Sequence, residues 1–241
     1  MQIVVATAAS TEKDHAMARA ADIARIHNAR VRVVPGEEGA GWHLGRAARE
    51  HATGLVVLQG RPRRLVDLLA GATPERIADS SDRPVLVVNR AVRRPYAQVL
   101  VCIDDRTDVR RALETTRFVA PRATVSLLHA YEGVYETALL LDGANARKLQ
   151  QYLRDVRREA CAGLAKKIDK AGGDPASLLL RRGGAQHVIL REERRRRAND
   201  TLFVLERCRS LIRHWIFGSV SQSLVREGKS DVLIVRAARG T

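Results

Sequence analysis

Aromatic residues make up only 4% of this 241-residue chain, so a folded core has to be built mainly from Val, Leu, Ile and Ala. Cysteine is also scarce. The three cysteines show no C-x-x-C spacing, which argues against a zinc site and a disulfide framework. No apolar run approaches the roughly 20 residues that cross a bilayer. The first residues predict a strand rather than a signal peptide. These absences together predict a cytoplasmic protein without membrane insertion.

Patterns typical of catalysis and metal binding are missing as well. The seven histidines have no HExxH or other close metal-ligand spacing. No segment looks like a phosphate-loop lysine or a clustered pair of metal-binding carboxylates. Ser219 and Ser221 have no adjacent base that would activate them as nucleophiles. We therefore expect no enzymatic activity, and nucleotide hydrolysis is the weakest of the function classes considered.

Positive charge is what the chain has in excess. Its 42 Lys and Arg against 27 Asp and Glu give a formal net charge of +15. A field of that sign favours polyanions such as nucleic acid, acidic proteins or an anionic membrane surface. The arginines are spread along the chain, which fits a plain solvated surface equally well. An interaction protein that binds nucleic acid or an acidic protein partner is therefore one hypothesis among two.

The sequence contains two unequal copies of one pattern. It opens with IVVATA at residues 3–8 and restarts with VLVCID at residues 99–104; the copies close with RPVLVVNRA and SDVLIVRAA. Short β-branched runs alternate with amphipathic stretches, which predicts βαβ units and a parallel sheet covered by helices on both faces. The predicted fold class is α/β, with two tandem doubly wound parallel-sheet domains at residues 1–92 and 97–241.

The first copy is predicted to be shortened to about four strands and the second to have five. Between Val34 and Gly54 there is room for one helix and nothing more, so the first copy has lost a strand. The longest helix is predicted at about 144–170. The predicted strands are 2–7, 30–34, 54–58 and 84–88 in the first copy, and 99–104, 124–130, 177–182, 201–205 and 231–236 in the second.

These segments resemble the universal stress protein family in its tandem two-domain form. The resemblance rests on a strand ending in Asp (VLVCIDD), a strand ending in LLHA, a strand followed by RRGG, and the block GSVSQSLV…SDVLIVR, which is the most specific. It implies a five-stranded doubly wound sheet and a stress-response role. Family members pair through their last strands, so the resemblance implies either a homo-oligomer through these strands or an internal pairing of VLVV with VLIV.

The resemblance also implies a nucleotide site whose glycine motif is degenerate here. ATP-binding members carry G-x-x-G, nine residues, then Gly followed by Ser or Thr. Counted back from Gly218, the first two glycines fall on Leu205 and Cys208, so only Gly218 is retained, with Ser219 and Ser221 after it. The first copy keeps Gly71 and Thr73, with Gly60 roughly where its first glycine belongs.

Glycines in a phosphate loop permit positive φ, and they let backbone N–H groups touch phosphate oxygens because they have no Cβ. Leu205 and Cys208 have side chains that oppose both. A helix that starts near Ser219 still presents free N–H groups, and Arg207 and Arg209 add positive charge. We therefore expect no tightly held ATP. Two alternatives stay open: a crevice that holds ATP, AMP or another small anion weakly, and a remnant that holds none.

Three further site residues come from the resemblance alone. Asp104 matches the acid near the adenine or ribose, Ala130 the strand end that packs against the base, and Gly183 a glycine at the mouth of the pocket. Each also has a structural interpretation: helix capping by Asp104 or by Asp105 beside it, and a tight turn at Gly183. His129 is interpreted as a hydrogen-bonded structural residue. The first copy has no acid at the matching strand end, so we expect no base site there.

Overall fold

The computed structural model describes residues 1–7, 15–35, 53–60, 83–143, 145–196, 200–207 and 229–236. Within them the strands are β1 (Gln2–Thr7), β2 (Arg30–Pro35), β3 (Thr53–Gln59), β4 (Val85–Val88), β5 (Gln98–Cys102), β6 (Thr124–Tyr131), β7 (Leu178–Arg182), β8 (Thr201–Arg207) and β9 (Asp231–Arg236). The helices are α1 (His15–His27), α2 (Val109–Val119), α3 (Glu136–Leu141), α4 (Ala146–Lys170) and α5 (Ala185–Arg195). None of the helices in these residues combines the length and apolar character needed to cross a membrane.

The nine described strands form one sheet in the order β2-β1-β3-β4-β9-β8-β5-β6-β7. All neighbours are parallel except β4 and β9, which are antiparallel. Strands β1–β4 therefore run opposite to strands β5–β9. We call β1–β4 the first half and β5–β9 the second half. The carboxyl edge of the second half, where β5–β8 end, is opposite its amino edge, where they begin.

The contact between β4 and β9 is the internal alternative that the family resemblance implied, and the structure contains it. Val85 is paired with Ile234, and Val87 with Val232. Both strands have a hydrogen-bonded neighbour on each side, since β3 flanks β4 and β8 flanks β9. A homo-oligomer through these last strands would have to open this ladder first.

The α/β fold class is confirmed, and the predicted strands agree with the observed ones to within about two residues at each end. Among the described residues the first half contributes four strands and the second half five. The longest helix begins at Ala146, because the side chain of Asn145 caps it by accepting from the N–H of Lys148 at 3.0 Å.

Helix α2 shows how the sequence builds a cover for the sheet. Its buried residues recur at helical spacing and pack on the apolar face of the strands. Asp108 is its N-cap and accepts from the N–H of Arg111 at 3.1 Å. The interpretation of Asp104 or Asp105 as the cap was therefore wrong by a few residues. The buried residues are Val109, Ala112, Leu113, Thr116 and Val119.

A buried polar cluster joins the two halves. The hydroxyl of Tyr96 donates to Oδ2 of Asp231 at 2.6 Å, and the N–H of Asn89 donates to Oδ1 at 2.8 Å. The guanidinium of Arg19, on α1, lies 3.8 Å from the same carboxylate and 3.9 Å above the Tyr96 ring. Burial raises the pKa of Asp231 and raises that of Tyr96 well above its usual value. The two halves thus share a desolvated ion pair as well as a strand ladder.

Candidate functional site

The carboxyl edge of the second half brings several predicted site residues together. The N–H of Ile103, just after β5, donates to the carbonyl of Leu128 in β6 at 2.8 Å. The N–H of Gly183, just after β7, donates to the carbonyl of Tyr131 at 3.0 Å. In a doubly wound sheet this edge is the usual ligand position. The predicted residues that lie along it are Asp104, Ala130 and Gly183.

Asp104 is exposed, and it closes the turn that leads from β5 to α2. Its Oδ1 accepts from the N–H of Arg106 at 2.9 Å and from the N–H of Thr107 at 2.8 Å. The Thr107 hydroxyl lies 2.8 Å from the same oxygen and 2.9 Å from the Asp104 nitrogen. One carboxylate oxygen therefore organises the loop. Contact between Asp104 and a ligand stays a prediction.

Strand β6 ends with a hydrogen-bonded histidine, as predicted. Nδ1 of His129 lies 2.9 Å from the carbonyl oxygen of Ile103, and since a carbonyl can only accept, Nδ1 carries the proton and donates. Ala130 follows it, paired in register with Arg181 of β7 and partly buried against one of the two core clusters.

Gly183 has a backbone conformation that other residues adopt only with strain. Its φ is +122°, and it connects β7 to α5. A Cβ at this position would lie 3.6 Å from Cγ2 of Val188, which is ordinary contact, so the backbone angle rather than crowding selects glycine. The structural interpretation of Gly183 is sufficient to explain the residue, and a ligand contact remains a prediction.

Leu205 occupies a strand position rather than a loop position. It lies within β8, paired with Cys102 on one side and Ile234 on the other, and it is buried in a core cluster. The position of the first glycine in the family motif is therefore occupied by Leu205, whose side chain packs in a core cluster. Leu205 cannot let its backbone wrap a phosphate, because both its edges are committed to the strand ladder.

Glu206 is a candidate site residue that the sequence reasoning missed. Its Oε2 accepts from the N–H of Asp108 at 2.8 Å, while its Oε1 is buried and has no hydrogen-bond partner among the described residues. Burial raises the pKa of Glu206 to about 7; the carboxylates of Asp108 and Asp104 raise it, and the Asp108 N–H and Lys167 lower it. An acid ending the apolar run TLFVL was the available signal.

The described part of this edge carries both acids and cations, and the cations are Arg106, Lys167, Arg182 and Arg207. The ammonium of Lys167, on α4, donates to the carbonyls of Asp105 at 2.8 Å and Asp104 at 3.5 Å. The hydroxyl and amino groups of a nucleoside match the carboxylate acceptors of this edge. Among the described residues no group of three or more His, Cys, Asp or Glu is placed to hold a metal ion. The acids here are Asp104, Asp105, Asp108, Glu132 and Glu206.

The remaining predicted residues of this site lie outside the described ranges. Arg207 ends β8 and is paired in register with Arg236 of β9, but its side chain is not described. The others, outside the description altogether, are Cys208, Arg209, Gly218, Ser219 and Ser221.

In the first half, Gly60 has a packing explanation. A Cβ on Gly60 would lie 2.0 Å from Oδ1 of Asn89 and 2.8 Å from Cγ1 of Val87. Its N–H donates to the carbonyl of Val88 at 2.6 Å. Glycine is therefore required by the close approach of β4, with no phosphate needed to account for it. Gly71 and Thr73 lie outside the described residues.

Comparison with known proteins decides the family. The universal stress protein family model matches residues 95–236, which is more than half of the chain. This chain belongs to the universal stress protein family. As a universal stress protein it is a stress-response kind of protein, and the matched range contains the whole carboxyl edge of the second half. No curated protein matches the chain.

Solved structures share the fold of this universal stress protein at low sequence identity. A functionally unknown protein from Pseudomonas aeruginosa PAO1 has a TM-score of 0.56 and 17% identity, covering 98% of this chain and 81% of its own. A putative universal stress protein from P. aeruginosa UCBPP-PA14 has a TM-score of 0.55 and 17% identity, and the match covers 98% of this chain and 82% of that protein. A universal stress protein from Archaeoglobus fulgidus DSM 4304 has a TM-score of 0.57 and 17% identity, and the match covers 99% of this chain and 87% of that protein. At this identity the likeness shows the fold alone.

Proposed function

We propose that this universal stress protein is non-catalytic and that its second half holds an adenine nucleotide or another small anion weakly. Residues 97–241 would form the ligand-binding domain, and residues 1–92 a shortened structural partner. The observation that supports the proposal is the convergence of Asp104, Ala130 and Gly183 on adjacent strand ends. We also expect the protein to act in the cytoplasm, since Cys102 and Cys161 are free thiols.

The crevice at the carboxyl edge of the second half should bind AMP more tightly than ATP, because of the residues that surround it. The buried Leu205 and the carboxyl group of Glu206 occupy the end of β8, where a triphosphate would need backbone N–H groups and positive charge. A nucleoside can instead donate its hydroxyl and amino hydrogens to Asp104. Arg207 and Arg209 would supply charge for a single phosphate, and the helix start at Gly218, Ser219 and Ser221 would supply N–H groups.

A non-catalytic role is favoured by the chemistry of the described edge. Burial raises the pKa of the Cys102 thiol to about 12, so this cysteine is not a nucleophile at neutral pH. We expect no phosphate release from ATP above that of a heat-killed control.

Thermal shift with AMP and ATP tests the proposal. A ligand at tenfold its Kd stabilises the folded state by about 1.4 kcal/mol, which is roughly 3–6 °C in a protein of this size. We expect such a rise with AMP, a smaller one with ATP, and a reduced AMP response in Asp104→Asn. Asparagine keeps an oxygen that accepts from Arg106 and Thr107, so the turn survives while the charge is lost.

Asp105→Asn is the matched control, because it removes the same charge from the neighbouring exposed residue. If Asp104→Asn and Asp105→Asn respond alike, Asp104 does not contact the ligand. If no adenine nucleotide or phosphate shifts the melting temperature, the crevice is a remnant. Recovery of the protein with stoichiometric bound ATP would contradict the proposal that the nucleotide is held weakly.

The second candidate function is an interaction protein that uses its basic surface to bind nucleic acid or an acidic protein partner. The formal net charge of +15 supports it. It predicts binding to a polyanion that weakens steeply with salt, whereas the first candidate predicts binding of small nucleotides that Asp104→Asn impairs.

A further inference from the structure

Arginines are concentrated at the amino edge of the second half. The segments that reach this edge are 89–98, 120–124, 191–196, 200–201 and 229–231. They contain nine cations and four acids among the described residues. The cations are Arg90, Arg93, Arg94, Arg122, Arg191, Arg194, Arg195, Arg196 and Lys229; the acids are Glu192, Glu193, Asp200 and Asp231.

All four acids are buried and already bonded, and they leave an excess of five cations in these segments. Glu193 accepts from the backbone N–H groups of Lys229 and Ser230. Asp200 accepts from Arg94 at 2.7 Å. Glu192 faces several arginines, and Asp231 lies in the polar cluster between the halves. Their exposed fractions are 4% for Glu192, 7% for Glu193, 7% for Asp200 and 2% for Asp231.

The cations are contiguous in space although they come from four segments. Nε of Arg90 donates to the carbonyl of Lys229 at 2.9 Å, and Nη1 of Arg196 donates to Oε1 of Gln98 at 3.0 Å. The N–H of Thr124 donates to the carbonyl of Ala97 at 2.9 Å, which brings the turn before β6 alongside. We call the exposed members the amino-edge patch: Arg93, Arg94, Arg122, Arg191, Arg194, Arg195 and Lys229.

We infer that the amino-edge patch binds duplex nucleic acid through its phosphate backbone. The patch runs from β4 to β6, four strand spacings or about 19 Å, which matches about five phosphates along one strand of a duplex. The opposite edge of the same half carries five acids beside four cations, which are Arg106, Lys167, Arg182 and Arg207. The excess of positive charge among the described residues of the two edges therefore lies at the amino edge, which is the edge that suits nucleic acid.

The character of the patch favours a duplex over an acidic protein or a single strand. Protein interfaces centre on apolar and aromatic side chains, and single strands need exposed aromatics on which bases stack. The exposed large apolar residues of the described ranges all lie on other segments, and Tyr96, the aromatic residue here, is buried. Arginines and lysine alone read the phosphate backbone without reading sequence.

This inference rests on the second candidate function and is independent of the crevice. The test measures the affinity for a mixed-sequence duplex of about 20 base pairs, as DNA and as RNA, by fluorescence anisotropy between about 50 and 200 mM salt. The variant is Arg93→Ala, Arg194→Ala, Lys229→Ala, whose side-chain charges have no carboxylate partner among the described residues. Losing three phosphate contacts should make the slope of log K against log salt shallower by about 2.7 and weaken binding at low salt more than tenfold.

The control is Arg147→Ala, Lys148→Ala, Arg157→Ala, which removes the same charge from exposed positions on α4. It should leave the slope unchanged, and AMP should not compete with the duplex. Equal losses of duplex affinity in both triple variants would show that binding depends on the overall charge. That result would overturn the proposal for the amino-edge patch and leave the second candidate function standing. No duplex binding by the unmodified protein at low salt overturns both. Polyglutamate binding that matches the duplex and is lost with the patch would instead identify an acidic protein as the partner.

Discussion

Glu206 is a single residue that links stability to pH. Its side chain is partly buried between β8 and the start of α2, with Oε1 lacking a partner and the carboxylates of Asp104 and Asp108 nearby. Its pKa in the folded protein is about 7, against 4.5 in the unfolded chain. Between these values the folded state holds a proton that the unfolded state has lost, so stability falls as pH rises through this window.

Glu206→Gln should abolish that fall. We expect the variant to melt at a higher temperature than the original protein at pH 8, where the carboxylate is ionised, with little difference at pH 5, because glutamine is neutral and still accepts from the Asp108 N–H. Melting curves at both pH values measure this. Glu114→Gln, on the exposed face of α2, is the control, and an equal gain from it would mean that general charge reduction is responsible.

At the scale of elements, two glycines serve opposite purposes. Gly183 sets the β7–α5 connection with a φ of +122°, whereas Gly163 lies inside α4 with open space where a Cβ would go. A side chain is strained at the first position and favoured at the second.

Gly183→Ala should lower the free energy of unfolding by about 1–2 kcal/mol, since alanine is strained at a positive φ. Gly163→Ala should raise it by up to about 1 kcal/mol, since alanine is the better helix former. Urea denaturation measures both. A neutral Gly183→Ala would show that the connection can adopt another backbone conformation, and the argument from φ would fail.

The elements were largely predictable, but their contacts were not. The strands follow from short β-branched runs, and the pairing of β4 with β9 was one of two arrangements implied by the family resemblance. Glu206 was missed because its environment comes from Asp108, nearly 100 residues earlier. Gly60 looked like a motif glycine because Asn89, which crowds it, is distant in sequence. Local patterns do not encode which side chain a fold brings against another.

For the whole molecule, the halves are expected to unfold together. The β4–β9 ladder and the cluster of Arg19, Tyr96 and Asp231 make contacts that neither half retains alone. One core cluster also runs through both halves, with Leu86 of β4 and Leu233 of β9 as adjacent members. Breaking the shared ion pair should therefore destabilise the entire chain rather than one half.

Tyr96→Phe should lower the free energy of unfolding by about 1–3 kcal/mol in a single transition, because Asp231 loses a donor while remaining buried. Tyr135→Phe, an exposed position, should change little. Calorimetry distinguishes one transition from two. Two separated transitions, with only one moved by Tyr96→Phe, would contradict the coupling of the halves.

Because β4 and β9 run in opposite directions, the strand starts of one half share a border with the strand ends of the other. A nucleotide seated at the end of β8 and a duplex lying across its beginning would be separated by the length of that strand, about 20 Å. The two would neither collide nor screen one another strongly. The two proposals are therefore compatible: each predicts a ligand at a different edge of the second half, so a small metabolite and a long polymer could bind at the same time.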